Sequence, residues 1–297
     1  MTRLVLRGRD LTPPPLRPRI MGIVNTGGDS FSDSGPAPDP GACAELGLRQ
    51  IEDGADIIDV GGESGVTYTQ ASPPEAEIAR VVPVVERLVA AGAVVSVDTF
   101  RAPVAAAALE AGAHLINDVS GLADPAIAGH CAQAGAGLVV MHTRARPKTE
   151  NFPAYDDVVA DVLAFLAGRC ELALERGVDP DGLIVDSGPD FAKRPYETIA
   201  CLRAADRIAA LGRPWLAALS RKYFQAAIVP RPPRERGALT LAAVAHAADH
   251  GAAIVRVHDV RDSADFLAAR EVLSGRAEPL PVDPDDDRLK WVRPAAR

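Results

Sequence analysis

Eight short apolar runs recur along the 297 residues, most of them ending at a polar residue, and this repeat limits the possible folds more than any other feature. They are Ile20 to Val24, Ile57 to Val60, Val94 to Val97, Leu115 to Ile116, Leu138 to Met141, Leu183 to Val185, Trp215 to Leu219 and Ile254 to Val257. The runs are mostly apolar throughout rather than alternating, as parallel strands buried on both faces are. Between them lie Ala- and Leu-rich segments of helical period, such as Pro74 to Ala91, Tyr155 to Gly177, Pro195 to Leu211 and Arg234 to Gly251, with Gly or Asp at most of their ends. Strand then helix, eight times over, predicts a single α/β (β/α)8 TIM barrel. An open doubly wound sheet would need a second domain or extra strands to cover its edges. With 47% hydrophobic residues the chain can bury the core of such a barrel, which takes about 250 residues.

This assigns residues 20–275 to the barrel. Residues 1–19 contain Leu4 to Arg7, read as a short strand or hairpin, and Thr12-Pro13-Pro14-Pro15, a rigid turn; the segment is expected to plug the lower mouth. Residues 276–297 are rich in Pro and Asp, with Asp283, Asp285, Asp286 and Asp287 close together, and read as a disordered tail carrying Trp291.

Charge narrows the function. Lys plus Arg number 32 against 40 Asp plus Glu, and the net charge of -8 argues against nucleic-acid and membrane-surface partners. An anionic ligand must find a local positive cluster. Cys43, Cys131, Cys170 and Cys201 have no Cys-x-x-Cys spacing, which speaks against zinc and against a disulfide framework, and for buried thiols in a reducing cytosol. No stretch reaches the roughly 18 apolar residues of a membrane span, so a soluble cytoplasmic protein is expected.

The strand ends carry the chemistry. Val24 leads to Asn25, Val97 to Asp98, Ile116 to Asn117 and Asp118, Val185 to Asp186, Leu219 to Ser220-Arg221-Lys222, and Val257 to His258. In this fold the C-terminal strand ends converge on one mouth. Any one of these residues alone is better explained as a helix cap or turn residue. Six such ends together suit a polar heterocycle plus an anion: carboxylates accept from a guanidine-like ring edge, an amide gives and takes, and lysine donates to ring oxygen or nitrogen. Arg256, two residues before His258 and on the same side of its strand, suits a phosphate.

Met21-Gly22-Ile23-Val24-Asn25, Asp29-Ser30-Phe31-Ser32-Asp33, Ser96-Val97-Asp98-Thr99, Ile116-Asn117-Asp118-Val119-Ser120, Val140-Met141-His142, Ser220-Arg221-Lys222 and Ile254-Val255-Arg256-Val257-His258-Asp259-Val260 together resemble the dihydropteroate synthase family, over roughly residues 4–275. The resemblance implies a transferase of folate biosynthesis that joins 6-hydroxymethyl-7,8-dihydropterin pyrophosphate to para-aminobenzoate. Its implied substrate-binding set is Asp98, Asn117, Asp186, Phe191, Ser220, Lys222, Arg256 and His258, with Lys222, Asp98, Arg256 and His258 closest to the reaction. Asn25 and Asp33 are implied to lie near Mg2+, and a homodimer is the family's habit. His142 is expected to line the barrel, and His114, His130, His246 and His250 to be surface or helix residues.

Departures from the family pattern cluster in the loops. Where the second loop usually reads Glu-Ser-Thr-Arg-Pro-Gly, Glu63-Ser64 is followed here by Gly65-Val66-Thr67-Tyr68, so its arginine is missing. Thr26-Gly27-Gly28 replaces Val-Thr-Pro in the first loop. The sixth strand end, usually Asp-Pro-Gly-Ile-Gly-Phe, reads Asp186-Ser187-Gly188-Pro189-Asp190-Phe191, with Lys193 following as in the family. Arg144 and Arg146 are candidate substitutes for the missing arginine. Two alternatives stay open: a paralogue that binds the pterin pyrophosphate but uses another amine or is inactive, and a pterin-dependent corrinoid methyltransferase. The intact Ser220-Arg221-Lys222 and Asn25, Arg256, His258 sets speak against the second, which has no pyrophosphate to bind.

Overall fold

The computed structural model describes residues 2–27, 29–30, 33–34, 39–63, 72–149, 151–282 and 289. A hairpin of β1 (Val5–Leu6) and β2 (Arg9–Asp10) leads into β3 (Arg19–Asn25), and the loop after it holds the small antiparallel pair β4 (Asp29–Ser30) and β5 (Asp33–Ser34). Then come α1 (Pro40–Glu52), β6 (Ile57–Gly61), α2 (Pro74–Ala90), β7 (Val95–Asp98), α3 (Ala102–Glu110), β8 (Leu115–Asp118), α4 (Ala126–Ala134) and β9 (Gly137–Met141). The last part runs α5 (Val158–Glu175), β10 (Leu183–Asp186), α6 (Pro195–Arg203), α7 (Ala205–Ala209), β11 (Leu216–Ala217), α8 (Gly237–Asp249), β12 (Ile254–Val257) and α9 (Val260–Leu273).

All eight expected runs form strands of one parallel sheet, ordered β10-β9-β8-β7-β6-β3-β12-β11. Val185 meets Trp215 in a parallel bridge, and its N–H donates to Pro214 O at 3.0 Å, which closes the (β/α)8 barrel. Two expectations need adjustment. The single helix read over Pro195 to Leu211 is two, because the backbone leaves helical geometry at Ala204 (φ -99, ψ 22) while the apolar period runs on through the break. The segment read from Arg234 opens as a 3-10 turn, Pro233–Glu235, before α8.

The strands divide their side chains between two cores. Ile58, Val60, Val97, Ile116, Val140, Val185 and Val255 pack outward under the helices, whereas Met21, Ile57, Leu115, Val139, Ile184, Leu216 and Ile254 form an apolar floor inside the barrel. Leu4 and Leu6, fully buried, complete that floor from below; burying a leucine contributes about 1.5–3 kcal/mol. Gly137 makes room for them, since a Cβ there would stand 2.4 Å from Leu6 Cδ2. Two residues beyond the floor on each strand lies the next inward position. There the barrel changes from apolar to polar.

Residues 64–71, which hold the altered second loop, and residues 283–288 and 290–297 of the tail lie outside the described residues. Among the described residues, no helix is long and apolar enough to cross a membrane.

Candidate active site

Above the floor, Arg256 on β12 joins the carboxylates of two other strands. Its Nε lies 2.6 Å from Asp59 Oδ2 and its second guanidinium nitrogen 3.1 Å from Asp98 Oδ2. Asn117 on β8 donates to the same Asp59 oxygen at 3.2 Å. The other oxygen, Asp59 Oδ1, is buried without a partner among the described residues. A buried acceptor left open is capacity for a ligand N–H. Burial, with the Asp59 charge beside it, pushes the Asp98 carboxyl up to about 7 against the pull of Arg256. Arg256 was expected beside a phosphate; here its guanidinium is turned onto carboxylates in the throat, because two negative groups stand within reach and an arginine needs paired acceptors when buried.

Asp186 ends β10, buried, and accepts the Gly188 N–H at 2.8 Å. This tight turn depends on glycine: Gly188 has φ +64, and a Cβ would stand 2.0 Å from His142 O. Burial raises the Asp186 pKa, while the Gly188 N–H and Lys222 resist. Lys222 begins the 3-10 turn Tyr223–Ala227; its Nζ donates to Pro189 O at 3.1 Å and lies 4.4 Å from the centre of the Phe191 ring. Burial lowers the Lys222 pKa, and Asp190 and Asp186 work to keep it charged.

His258 follows β12 and pairs with Ser220: its Nδ1 is 2.9 Å from Ser220 Oγ, to which the His258 N–H also donates at 3.3 Å. Burial and the positive charges of Arg256 and Arg221 hold its pKa down at about 4, so the ring is neutral near pH 7. Arg221 turns away to Asp259 at 2.6 Å. Asn25 stands at the end of β3, and Asp33 is on β5.

Other expectations change. His142 does not line the throat. It follows Met141 on the outward side, meeting Phe165 of α5 edge-on at 5.0 Å and Asp161 at 2.8 Å through Nε2. Lys193, buried, sits 2.7 Å from its Nδ1 and also donates to Gly188 O and Phe191 O at 3.0 and 3.2 Å. His114 is not a surface residue; it is buried, receives the Val95 N–H at 3.3 Å, and is held at about 4 by burial and by Arg9 and Arg7. Arg144 is committed to Asp161 through two bonds, 2.9 and 2.8 Å, and so is no free substitute for the missing loop arginine. The four cysteines are free and buried. Asp59 was not anticipated, although a charged residue within an apolar strand, in register with the inward Ile57, was a usable signal.

The fold is that of a (β/α)8 barrel with its charged and amide side chains gathered at the C-terminal ends of the strands, where barrel enzymes carry their active sites. The family model described as "Pterin binding enzyme" matches residues 21–258. Dihydropteroate synthase of Mycobacterium leprae is 43% identical over 258 residues, covering 84% of this chain and 91% of that protein. The Bacillus subtilis dihydropteroate synthase is 38% identical over 247 residues, 82% of this chain and 85% of its own. The structure of the Xanthomonas albilineans enzyme with 4-aminobenzoic acid superposes with a TM-score of 0.82 at 38% identity, covering 92% of this chain and 99% of that one; its complex with 7,8-dihydropteroate gives 0.79. The chain belongs to the dihydropteroate synthase family of pterin-binding enzymes.

Proposed function

We propose that this protein condenses 6-hydroxymethyl-7,8-dihydropterin pyrophosphate with para-aminobenzoate, releasing pyrophosphate and 7,8-dihydropteroate. The observation that carries this reading is the cluster of Asp59, Asp98, Asn117, Asp186, Lys222 and Arg256 above the apolar floor, in a chain 43% identical to a dihydropteroate synthase. In this reading Asp98, Asn117, Asp186 and Lys222 hold the pterin, with Phe191 against Lys222. Ser220, Arg256, His258 and Asn25 serve the pyrophosphate, and Arg256 gives up a carboxylate partner to do so.

The bond between the pterin methylene carbon and the pyrophosphate oxygen breaks first, and its electron pair leaves with pyrophosphate. The throat carboxylates stabilise the positive charge left on the pterin, while Arg256 and His258 stabilise the leaving group. The arylamine nitrogen then forms the new C–N bond and sheds a proton. Asn25 and Asp33 carry oxygen donors of the kind a hard divalent cation takes, and among the described residues no group of three or more His, Cys, Asp or Glu could hold an ion unaided. They fit Mg2+ that takes most of its ligands from substrate phosphates. When bound, the ion would neutralise charge on the departing pyrophosphate.

The four buried thiols suit a cytoplasmic enzyme. A homodimer belongs to the same proposal, with exposed Tyr196, Tyr223 and Ile228 as apolar surface for a second copy. One observation favours a second reading, a paralogue with another amine: Gly65-Val66-Thr67 stands where the family has Thr-Arg-Pro. The purified protein with the pterin pyrophosphate, Mg2+ and para-aminobenzoate should form dihydropteroate. Tight pterin pyrophosphate binding without that product would transfer the case to the paralogue.

A further inference from the structure

Asp190 stands where the family pattern of the sixth strand end has glycine, and it keeps a glycine-like backbone, with φ +63. For an L-residue that conformation is strained, less so for Asp and Asn than for most. The side chain that glycine lacks does something in return. Its carboxylate crosses from the loop after β10 to the loop after β11, accepting the Tyr223 N–H and, at 3.2 Å, the Phe224 N–H. These open the 3-10 turn that Lys222 caps. Thr198 of α6 steadies Asp190 from behind, its Oγ1 accepting the Asp190 N–H at 3.0 Å.

The tip of Lys222 meets the same short segment as its base. Nζ donates to the carbonyl of Pro189, the residue before Asp190, and lies over the ring of Phe191, the residue after it. Lys222 is thus bracketed by residues 189–191: at its backbone through the Asp190 carboxylate, and at its ammonium through Pro189 and Phe191.

We propose that Asp190 is a positioning residue that latches the loop after β10 to the loop after β11 and so holds the Lys222 ammonium in the throat for the pterin. The proposal rests on the reading of Lys222 as a pterin-binding group. The charges around Lys222 agree with it: Asp190, Asp186 and Asp98 favour the ammonium, while burial and Arg256 oppose it.

Asp190→Gly and Asp190→Asn separate latch from scaffold. Glycine accepts the φ without strain, so Asp190→Gly should stay folded, melting within about 4 °C of the parent. Hydrogen exchange at the Tyr223 and Phe224 amides should lose about tenfold in protection, and calorimetry with the pterin pyrophosphate and Mg2+ should show affinity down about tenfold, as expected for one lost charge-assisted hydrogen bond. Asparagine keeps an acceptor oxygen and tolerates the backbone, and should restore most of both at pH 7. Unchanged protection in Asp190→Gly would overturn the latch. Lost protection with unchanged pterin affinity would overturn its role in positioning Lys222. Failure of the parent protein to bind the pterin pyrophosphate would sink the functional reading instead, and exchange at the two amides would still decide whether the latch exists.

Discussion

Nζ of Lys193 lies 2.7 Å from Nδ1 of His142, a lysine and a histidine in contact with almost nothing of either exposed to water. An ammonium only donates, so Nδ1 must accept. The ring proton is therefore on Nε2, which donates to Asp161 at 2.8 Å. Only the neutral ring satisfies both partners. Burial and Lys193 outweigh Asp161 and hold the His142 pKa at about 4, while burial brings Lys193 down to about 8. The same lysine fastens the carbonyls of the turn after Asp186.

The buried histidines should therefore withdraw stability in mild acid, opposed over the same range by Asp98, whose raised pKa makes the folded state the better proton binder there. His142 and His114 are both held at about 4 in the folded protein against an ordinary 6.5. Between those values the unfolded chain binds the additional proton at each, so the stability they contribute is full above about pH 6.5 and declines as pH drops toward 4. Each histidine accounts for on the order of 3 kcal/mol across the whole window. Urea unfolding at several pH values measures the net slope, and His114→Gln should shift it by the share that His114 contributes between pH 4 and 6.5. An unaltered slope in that variant would remove His114 from the account.

Replacing Asp186 with Ala should lower pterin affinity by at least about 150-fold, because two hydrogen bonds to a charged acceptor would be lost at roughly 1.5–3 kcal/mol each. Calorimetry with the pterin pyrophosphate measures this. Parent-like affinity would leave Asp186 with only its turn, where it accepts the Gly188 N–H.

His258→Ala should weaken binding of the pyrophosphate ester by about tenfold and leave the free hydroxymethyl pterin nearly unaffected. In the free protein the ring is neutral, tied to Ser220. A bound pyrophosphate would draw the pKa upward, so ester affinity should also rise as the pH falls from 8 to 6. Equal losses for ester and alcohol would separate His258 from the phosphates.

Para-aminobenzoate should bind weakly, with a high KM, and sulfonamides should inhibit poorly. Gly65-Val66-Thr67 supplies neither the family's arginine, a paired partner for a carboxylate, nor its proline. Installing Thr, Arg and Pro together at positions 65–67 should lower KM about tenfold with little effect on pterin affinity. A low KM in the unaltered protein would show that another segment supplies the wall.

The barrel was legible because strands buried on both faces leave continuous apolar runs, and its mouth because those runs stop at Asn25, Asp98, Asn117, Asp186 and His258. Asp59 escaped because it lies inside a run rather than at its end, although its spacing of two from Ile57 puts both on one side of the strand. The pairing of Arg256 with Asp59 links positions 197 apart in the chain, and no local pattern encodes such a meeting. His142 packs outward beyond the end of β9 rather than lining the throat for a related reason: its partners Asp161 and Lys193 are set by how α5 and the turn after β10 pack. Asp190 was visible as a departure from a glycine, but its crossing to Tyr223 required the fold.

The plug under the barrel also bears on the order in which the molecule assembles. Leu4 and Leu6 precede all eight barrel strands, yet their seat is built from Met21, Ile57, Leu115, Val139, Ile184, Leu216 and Ile254, and Arg3 reaches Asp181 at 3.1 Å. A ribosome releases these leucines long before strand β12 exists, and contacts of such long sequence separation form slowly. The hairpin is therefore expected to complete its seat only after the ring of strands has closed. In pulse-labelled hydrogen exchange during refolding, the Leu4–Leu11 bond that clasps it should be among the last to gain protection.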